Sequence, residues 1–214
     1  GGRARRWAAA ELLLEHPRAL LVGFGATVAV STMWYVPPFW TLSALLHKSL
    51  GARDSLLVGF SDEMVALAFT PLAGWLADRH GVGLVTILGA AFFAVAALPV
   101  YSWLSLNTHS LPAAYLSVGL VFGAAQGFAG ATIYLFCAEL FPARVRCLGI
   151  GLSYNIAVSY IGGFGSSISE ALFRASPHVA PGAYWSSVGL VSVLSVLLGL
   201  HWERRGLMSL THRR

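Results

Sequence analysis

The run VGLVTILGAAFFAVAALPVYSWL, Val82 to Leu104, contains no charged side chain. A helix needs about 20 apolar residues to cross about 30 Å of hydrocarbon. Lipid offers no hydrogen-bond partners, so a single spanning segment must pair its own backbone as a helix. Five further windows match this run: Ala19 to Leu46, Leu56 to Ala77, Leu111 to Ala138, Val145 to Leu172, and Tyr184 to Trp202. The chain therefore reads as an all-α integral membrane protein with six transmembrane helices. Residues 1–18 form a linker, residues 19–202 the bundle and residues 203–214 a tail. Pro37-Pro38 in the first window removes two backbone donors and predicts a kink or break there.

Composition agrees with lipid as the solvent. The 214 residues are 57% hydrophobic and 11% charged, with a mean hydropathy of +0.69. This excludes disorder, collagen, coiled coil and a small disulfide scaffold. Net charge is +5, and of 14 basic residues all but Lys48 are arginine. They form short clusters between apolar runs, not the basic stripe of a nucleic-acid binder. Eleven fall on one side of the bundle (Arg3, Arg5, Arg6, Arg18, Arg79, Arg144, Arg146, Arg204, Arg205, Arg213, Arg214) and three on the other (Lys48, Arg53, Arg174). The bias places both ends of the segment in the cytoplasm, as a multi-pass protein of the cell membrane. Trp40, Trp103, Tyr184, Trp185 and Trp202 near span ends read as an aromatic belt. Cys137 and Cys147 have no neighbouring histidine, so they read as reduced thiols, and no metal or cofactor is expected. Opening on Gly1-Gly2, with no cleavable leader, the sequence reads as a piece of a longer polypeptide.

Polar residues are unevenly shared among the spans. The third and sixth carry little beyond small hydroxyls and can face lipid on most sides. The other four carry Ser31, Thr32, Asp62, Glu63, Gln126, Tyr134, Asn155, Ser159 and Glu170. Two polar helices followed by a lipid-like one, twice, suggests a 3+3 repeat. Because each unit has three crossings, the second copy would be inverted.

Two motifs carry a family resemblance. Gly74-Trp75-Leu76-Ala77-Asp78-Arg79-His80-Gly81 follows the second span. Gly81 permits a tight reversal, and Asp78 with Arg79 can pair with helix ends. This loop resembles the Gly-x-x-x-Asp-Arg-x-Gly signature of the major facilitator superfamily, with Val82-Gly83 where that family has two basic residues. Glu139-Leu140-Phe141-Pro142-Ala143-Arg144-Val145-Arg146, then Gly149, Tyr154-Asn155 and Gly162-Gly163-Phe164, is similar to the entry to the eleventh helix of metabolite:proton symporters. That branch includes the proline/betaine, α-ketoglutarate, citrate and shikimate permeases. His16-Pro17-Arg18 also resembles their entry to the seventh helix, whereas Gly165-Ser166 stand where relatives often have a small residue and Pro. The resemblance implies the C-terminal six-helix half of a twelve-helix carrier. Its partners would be a small organic solute, protons, the bilayer and an N-terminal half. It also implies that Gly74, Asp78, Arg79, Gly81, Glu139, Arg144 and Arg146 form a cytoplasmic gating loop. On physical grounds Pro142 suits a helix start, Arg144 and Arg146 anchor the helix end in the headgroups, and Glu139 can pair with either.

Candidate pathway residues come from the span interiors. Asn155, Ser159, Gly162 and Ser166 recur at helical spacing, a stripe that lines either a water-filled cavity or a neighbouring helix. Gly119, Gly123 and Gly127 read as a close-packing ridge. Gln126 and Tyr134 share a face and are cavity candidates, as are Thr32 and Tyr35 before the proline pair. Asp62 and Glu63 give the sharpest signal. A helix beginning after them would leave Met64 to Ala77, about 21 Å, too short to cross. Starting near Asp54 puts them inside the membrane, where carboxylates are expensive and serve function. They are the proton-coupling candidates, with Asp62 expected at the cavity. The alternative is an N-cap at Ser61 or Asp62. Glu170 and Arg174, four apart, read as an outer-surface pair.

The expected function is proton-coupled symport of a small organic metabolite by alternating access. The rivals are a non-transporting six-helix module or a homodimeric half-transporter. A membrane protease is disfavoured because Gly151-Leu152-Ser153 is followed by Tyr154, and no histidine lies mid-span. The chain is not expected to be an enzyme.

Overall fold

The computed structural model describes residues 8–207. Arg3, Arg5, Arg6, Arg213 and Arg214 of the charge count lie outside the described residues. A short helix α1 (Ala8–Glu15) precedes six helices long and apolar enough to cross a membrane. These are α2 (Pro17–Leu50), α3 (Ala52–His80), α4 (Val82–Leu106), α5 (Leu111–Leu140), α6 (Arg146–Ala175) and α7 (Ala180–Arg204). No strand occurs among the described residues.

Helix ends follow local chemistry. Pro17 opens α2, where its missing N–H would have been unpaired anyway. Gly51 (φ 87°) and Gly81 (φ 92°) reverse the chain in single-residue turns, a conformation that side chains with a Cβ rarely adopt. Ser110 accepts a hydrogen bond from the Ala113 N–H at 3.4 Å and starts α5. Pro142 does not start α6. It lies in a turn closed by the Val145 N–H on its carbonyl at 3.0 Å, and the helix resumes at Arg146.

The proline pair does not break α2. The helix stays continuous but winds in wide, π-type turns over Val36–Leu46, with the His47 N–H bonded five residues back to Leu42. Widening the turn lets carbonyls find donors further along once two N–H groups are gone. Similar wide segments occupy Tyr115–Phe122 in α5 and Ala157–Gly162 in α6.

Burial pairs the spans across the two halves. The apolar windows of α2 and α5 are 72% and 61% buried, those of α3 and α6 both 22%, and those of α4 and α7 both 33%. Helix α3 packs on α5 and α6 on α2; α4 packs on α5 and α7 on α2; α4 and α7 pack on each other. Exchanging the first three spans with the last three interconverts these contacts.

Small residues set the close approaches. A Cβ on Gly123 would lie 2.6 Å from the Asp62 carbonyl oxygen, and one on Gly127 2.5 Å from that of Ala66. The glycine ridge therefore seats α3 on α5. The hydroxyls of the sixth span also join helices. Ser192 is buried and donates toward the Gly25 and Ala26 carbonyls of α2, while Ser186 accepts from the Leu98 N–H of α4 at 3.1 Å.

Two of the expected belt residues are core residues. Trp185 is fully buried and Trp40 is 5% exposed. Both indole N–H groups are satisfied inside the bundle, Trp185 on Ser169 Oγ at 3.0 Å and Trp40 on Glu170 Oε2 at 3.2 Å. With Tyr101 and Phe122 these rings pack edge to face. Glu170 thus serves Trp40 as well as Arg174, whose Nε lies 3.4 Å from Oε1.

Candidate functional site

Helices α2, α3 and α5 line an open cavity of about 290 Å³ with Trp34, Glu63, Thr70 and Gln126 among apolar residues. Glu63 projects into it and accepts a hydrogen bond from Gln126 Nε2 at 3.3 Å. Gln126 itself is only 5% exposed, so its amide is held from behind by the helix packing.

Asp62 faces elsewhere. It is fully buried at the seam between α3 and α5, and neither carboxylate oxygen has a hydrogen-bond partner among the described residues. A Cβ on Gly123 would come within 3.1 Å of Oδ1, so the glycine makes room for the carboxylate. Adjacent helical residues point about 100° apart, which places one carboxylate in the seam and the other in the cavity. The cavity carboxylate is Glu63, not Asp62 as the sequence suggested. The capping alternative also fails, because α3 begins at Ala52 and Asp62 lies about 15 Å along it. Ser61 Oγ donates to the Val58 carbonyl at 2.7 Å, a bond within the helix.

The remaining polar candidates separate into different environments. Tyr134 is 40% exposed and donates through its hydroxyl to Tyr154 on α6 at 2.7 Å, with the rings 5.1 Å apart. Tyr35 is exposed, stacks on Phe39 and lies against Gly162 of α6. Thr32 is fully buried, and its hydroxyl donates to the Val28 carbonyl of its own helix at 3.2 Å, apart from the Glu63 cavity. Asn155 and Ser159 are exposed, and Asn155 Nδ2 donates to the Gly151 carbonyl at 2.6 Å. Gly162 instead packs on Ser31 and Tyr35, and Ser166 opens toward Trp40 and Glu170 at the opposite end from the termini. The expected stripe is therefore not one face. The wide turns at Ala157–Gly162 rotate everything beyond them out of the 3.6-residue phase.

Trp34 and Thr70 line the cavity and did not stand out in the sequence. The available signal was an aromatic residue just before the proline pair, but Trp34 and its neighbour Tyr35 could not be ranked without knowing which side the helix buries.

The loops near the termini form a second constellation. Arg79 lies over the Trp75 ring, 4.0 Å from its centroid. Asp78 is exposed, and a Cβ on Gly74 would meet nothing within 4 Å. Arg144 pairs with Glu11 of α1 at 3.3 Å, while Arg146 Nε donates to the Phe141 carbonyl at 3.2 Å. Glu139 is partly buried in the last turn of α5. Gly149 exists for packing, since a Cβ there would strike the Phe141 ring at 2.5 Å. Glu11, Glu15 and His16 offer ligand atoms within 4.8 Å of one another, although Glu11 is already engaged by Arg144.

The model of the "Sugar (and other) transporter" family matches residues 19–201, the whole bundle. The chain belongs to this family. Among curated proteins this transporter-family chain is similar to the alpha-ketoglutarate permease of Escherichia coli (29% identical, covering 91% of this chain and 44% of the relative). It is also similar to the citrate-proton symporter of Klebsiella pneumoniae (28% identical, 92% and 44%). A third relative is the proline/betaine transporter of Escherichia coli (23% identical, 89% and 37%). The chain spans less than half the length of these relatives. No solved structure matches it significantly. The resemblance to metabolite:proton symporters thus rests on similarity along most of the chain, and the architecture is that of a multi-pass, six-helix membrane protein.

Proposed function

We propose that this segment is the C-terminal half of a cell-membrane carrier that moves a small organic metabolite together with protons. The observation that carries the reading is the Glu63–Gln126 pair in a cavity between α2, α3 and α5 of a transporter-family chain. Alternating access would rock this bundle against an N-terminal half, with the solute between them. The low burial of α3 and α6 supports such a partner, since their uncovered faces carry Glu63, Asn155 and Ser159. The Arg and Lys asymmetry supports a cytoplasmic position for the Arg79 and Arg144 loops and for both ends of the segment.

Proton coupling falls to the carboxylate pair. An ionised Asp62 enclosed without a partner costs several kcal/mol. The group therefore holds a proton while the seam is shut and can release it when α3 shifts on α5 and water enters. Full-length protein in proteoliposomes, given a proton gradient and a panel of labelled osmolytes, dicarboxylates and aromatic acids, should accumulate at least one solute. Asp62→Asn should abolish gradient-driven accumulation and spare solute exchange, which needs no net proton movement. Wild-type accumulation by Asp62→Asn would assign the proton path to the other half.

A further inference from the structure

Buried side-chain oxygens without a hydrogen-bond partner gather in the half of the bundle opposite the termini. Among the described residues they are Thr41 Oγ1, Ser55 Oγ, both carboxylate oxygens of Asp62 and the Tyr184 hydroxyl. Groups of this kind are rare in folded proteins and call for a reason. Ser55 and Asp62 are seven residues apart, two turns of α3, so they share a face about 10 Å apart along the axis. Both are buried, Ser55 in the turn nearest the outer end. Thr41 is fully buried in the wide-turned stretch of α2 that packs on α3. Its neighbour Leu42 would touch a Cβ on Gly59, at a level between Ser55 and Asp62.

The seam differs on the two sides of Asp62. Toward the termini the buried α3 residues are Ala66, Ala73 and Ala77, none of them polar. There α5 is a regular helix, and a Cβ on Gly127 would stand 2.5 Å from the Ala66 carbonyl oxygen. The Phe69 and Phe128 rings, 5.4 Å apart, close the same contact. Away from the termini the buried face continues through Val58 to Ser55, and α5 packs on α3 with its wide turns, Tyr115–Phe122. Ionisable groups near this stretch are few. Helix α3 carries Arg53 and Asp54 at the mouth and Glu63 on the cavity side; α2 brings the exposed His47 and Lys48, α5 brings Tyr115, and α4 has Tyr101.

A carboxylate shut away from water cannot exchange a proton, so one side of the seam must admit water for Asp62 to work. Water enters a packed interior where polar groups can hold it. The stretch between Asp62 and the outer end supplies hydroxyls, Ser55 at the mouth and Thr41 part-way. The stretch toward the termini supplies methyl groups and rings. We infer that the α3–α5 seam opens toward the outer side as the water path through Ser55 by which Asp62 takes up its proton, with the Gly127–Ala66 contact as its inner seal. The Ser55 hydroxyl accepts a proton from a water on its outer side and passes its own to a water on its inner side, ending unchanged. At Asp62 the arriving hydrated proton forms an O–H bond on the carboxylate, cancels its charge and leaves a water molecule behind. The inference rests on the proton-coupling role proposed above for Asp62. It brings the proton in along a face of α3 other than the one that presents Glu63 to the cavity.

The probe is silver ion, which is small, enters where water does and bonds a thiolate. Full-length protein containing this segment, otherwise free of cysteine, carries Asp62→Cys in right-side-out or inside-out membrane vesicles. After timed exposure to silver nitrate the vesicles are denatured, and unblocked thiol is counted with a fluorescent maleimide. Silver on the outer face, opposite the termini, should block Asp62→Cys about tenfold faster than silver on the inner face. It should also outpace, by about tenfold, the blocking of Ala73→Cys, a fully buried position beyond the Gly127 contact. Val58→Cys should react from the outer face in the same way, and it carries the comparison if Asp62→Cys fails to fold. Ser55→Val and Ser55→Thr, alike in shape, are then added: Ser55→Val should slow the outer reaction about tenfold and Ser55→Thr preserve it. Faster reaction from the inner face, reaction at positions 62 and 58 no faster than at 73, or equal rates with Ser55→Val and Ser55→Thr would overturn the path. Gradient-driven accumulation separates this from the coupling role. Wild-type accumulation by Asp62→Asn, with outer silver access intact, overturns the coupling and leaves the outward-opening seam standing. Lost accumulation in Asp62→Asn, with silver entering only from the inner face, overturns the path and leaves the coupling standing.

Discussion

Substituting Gly127 by alanine tests the seam that places both carboxylates. The added methyl would stand 2.5 Å from the Ala66 carbonyl oxygen, 2.9 Å from Phe69 Cβ and 3.1 Å from Ala66 Cα. Two of these three atoms are backbone, so no rotamer change clears them and α3 must move away from α5. Overpacking of this kind costs about 1–3 kcal/mol, while alanine's helix preference over glycine returns about 1 kcal/mol. The net expectation is a loss of about 0–2 kcal/mol. Gly130, on the same helix, is the control: its Cβ would meet Trp34 Nε1 at 3.4 Å, an ordinary contact. Gly130→Ala should therefore be stabilising by about 1 kcal/mol, leaving about 1–3 kcal/mol between the two variants. Thermal unfolding of the full-length protein in detergent, followed by intrinsic fluorescence, reads the difference. Displacing α3 also stretches the Glu63–Gln126 bond, so Gly127→Ala should weaken solute uptake as well. A Gly127→Ala protein that melts at or above Gly130→Ala would refute the close seam between α3 and α5.

Three further outcomes are expected. In a background lacking Cys147, cysteine introduced at Asn107 should label from outside intact cells and cysteine at His80 only after permeabilisation; reversed labelling would overturn the charge-based orientation. Leu12 is fully buried, so Leu12→Ala should cost about 2–5 kcal/mol. Arg144→Ala, which breaks an ion pair whose arginine side chain is 65% exposed, should cost less than about 1 kcal/mol, and equal melting shifts would mean α1 is held by charge. Tyr134→Phe keeps the ring contact and loses only the hydroxyl bond to Tyr154, so its melting shift should correspond to about 0.5–1.5 kcal/mol; a larger collapse would give the pair a structural role beyond that bond.

The number of spans and the turns between them were legible in the sequence because each depends on local chemistry. An apolar run of sufficient length must become a helix in lipid, and Gly81 marks a reversal whatever surrounds it. The Gly119–Gly123–Gly127 ridge was legible as packing for the same reason, since small residues in a membrane helix mark close approach. Rotation about each helix axis was not legible. Asp62 and Glu63 are chemically alike and adjacent, and only the helix packed against them decides which carboxylate is enclosed. Trp40 and Trp185 have the spacing of belt residues, yet their indole N–H groups find Glu170 and Ser169 across helix contacts that no single window contains.

The sequence by itself determined that the chain is a six-helix membrane bundle, where its turns lie and which transporters it resembles, because hydropathy, glycine conformation and contiguous motifs are properties of short segments. The tertiary structure alone decided that Glu63 and Trp34 face the cavity, that Thr32 is spent on its own backbone, and that the Asn155 stripe breaks at a wide turn. These depend on the phase of each helix and on the surface of its neighbour, and phase is lost wherever the winding departs from 3.6 residues per turn.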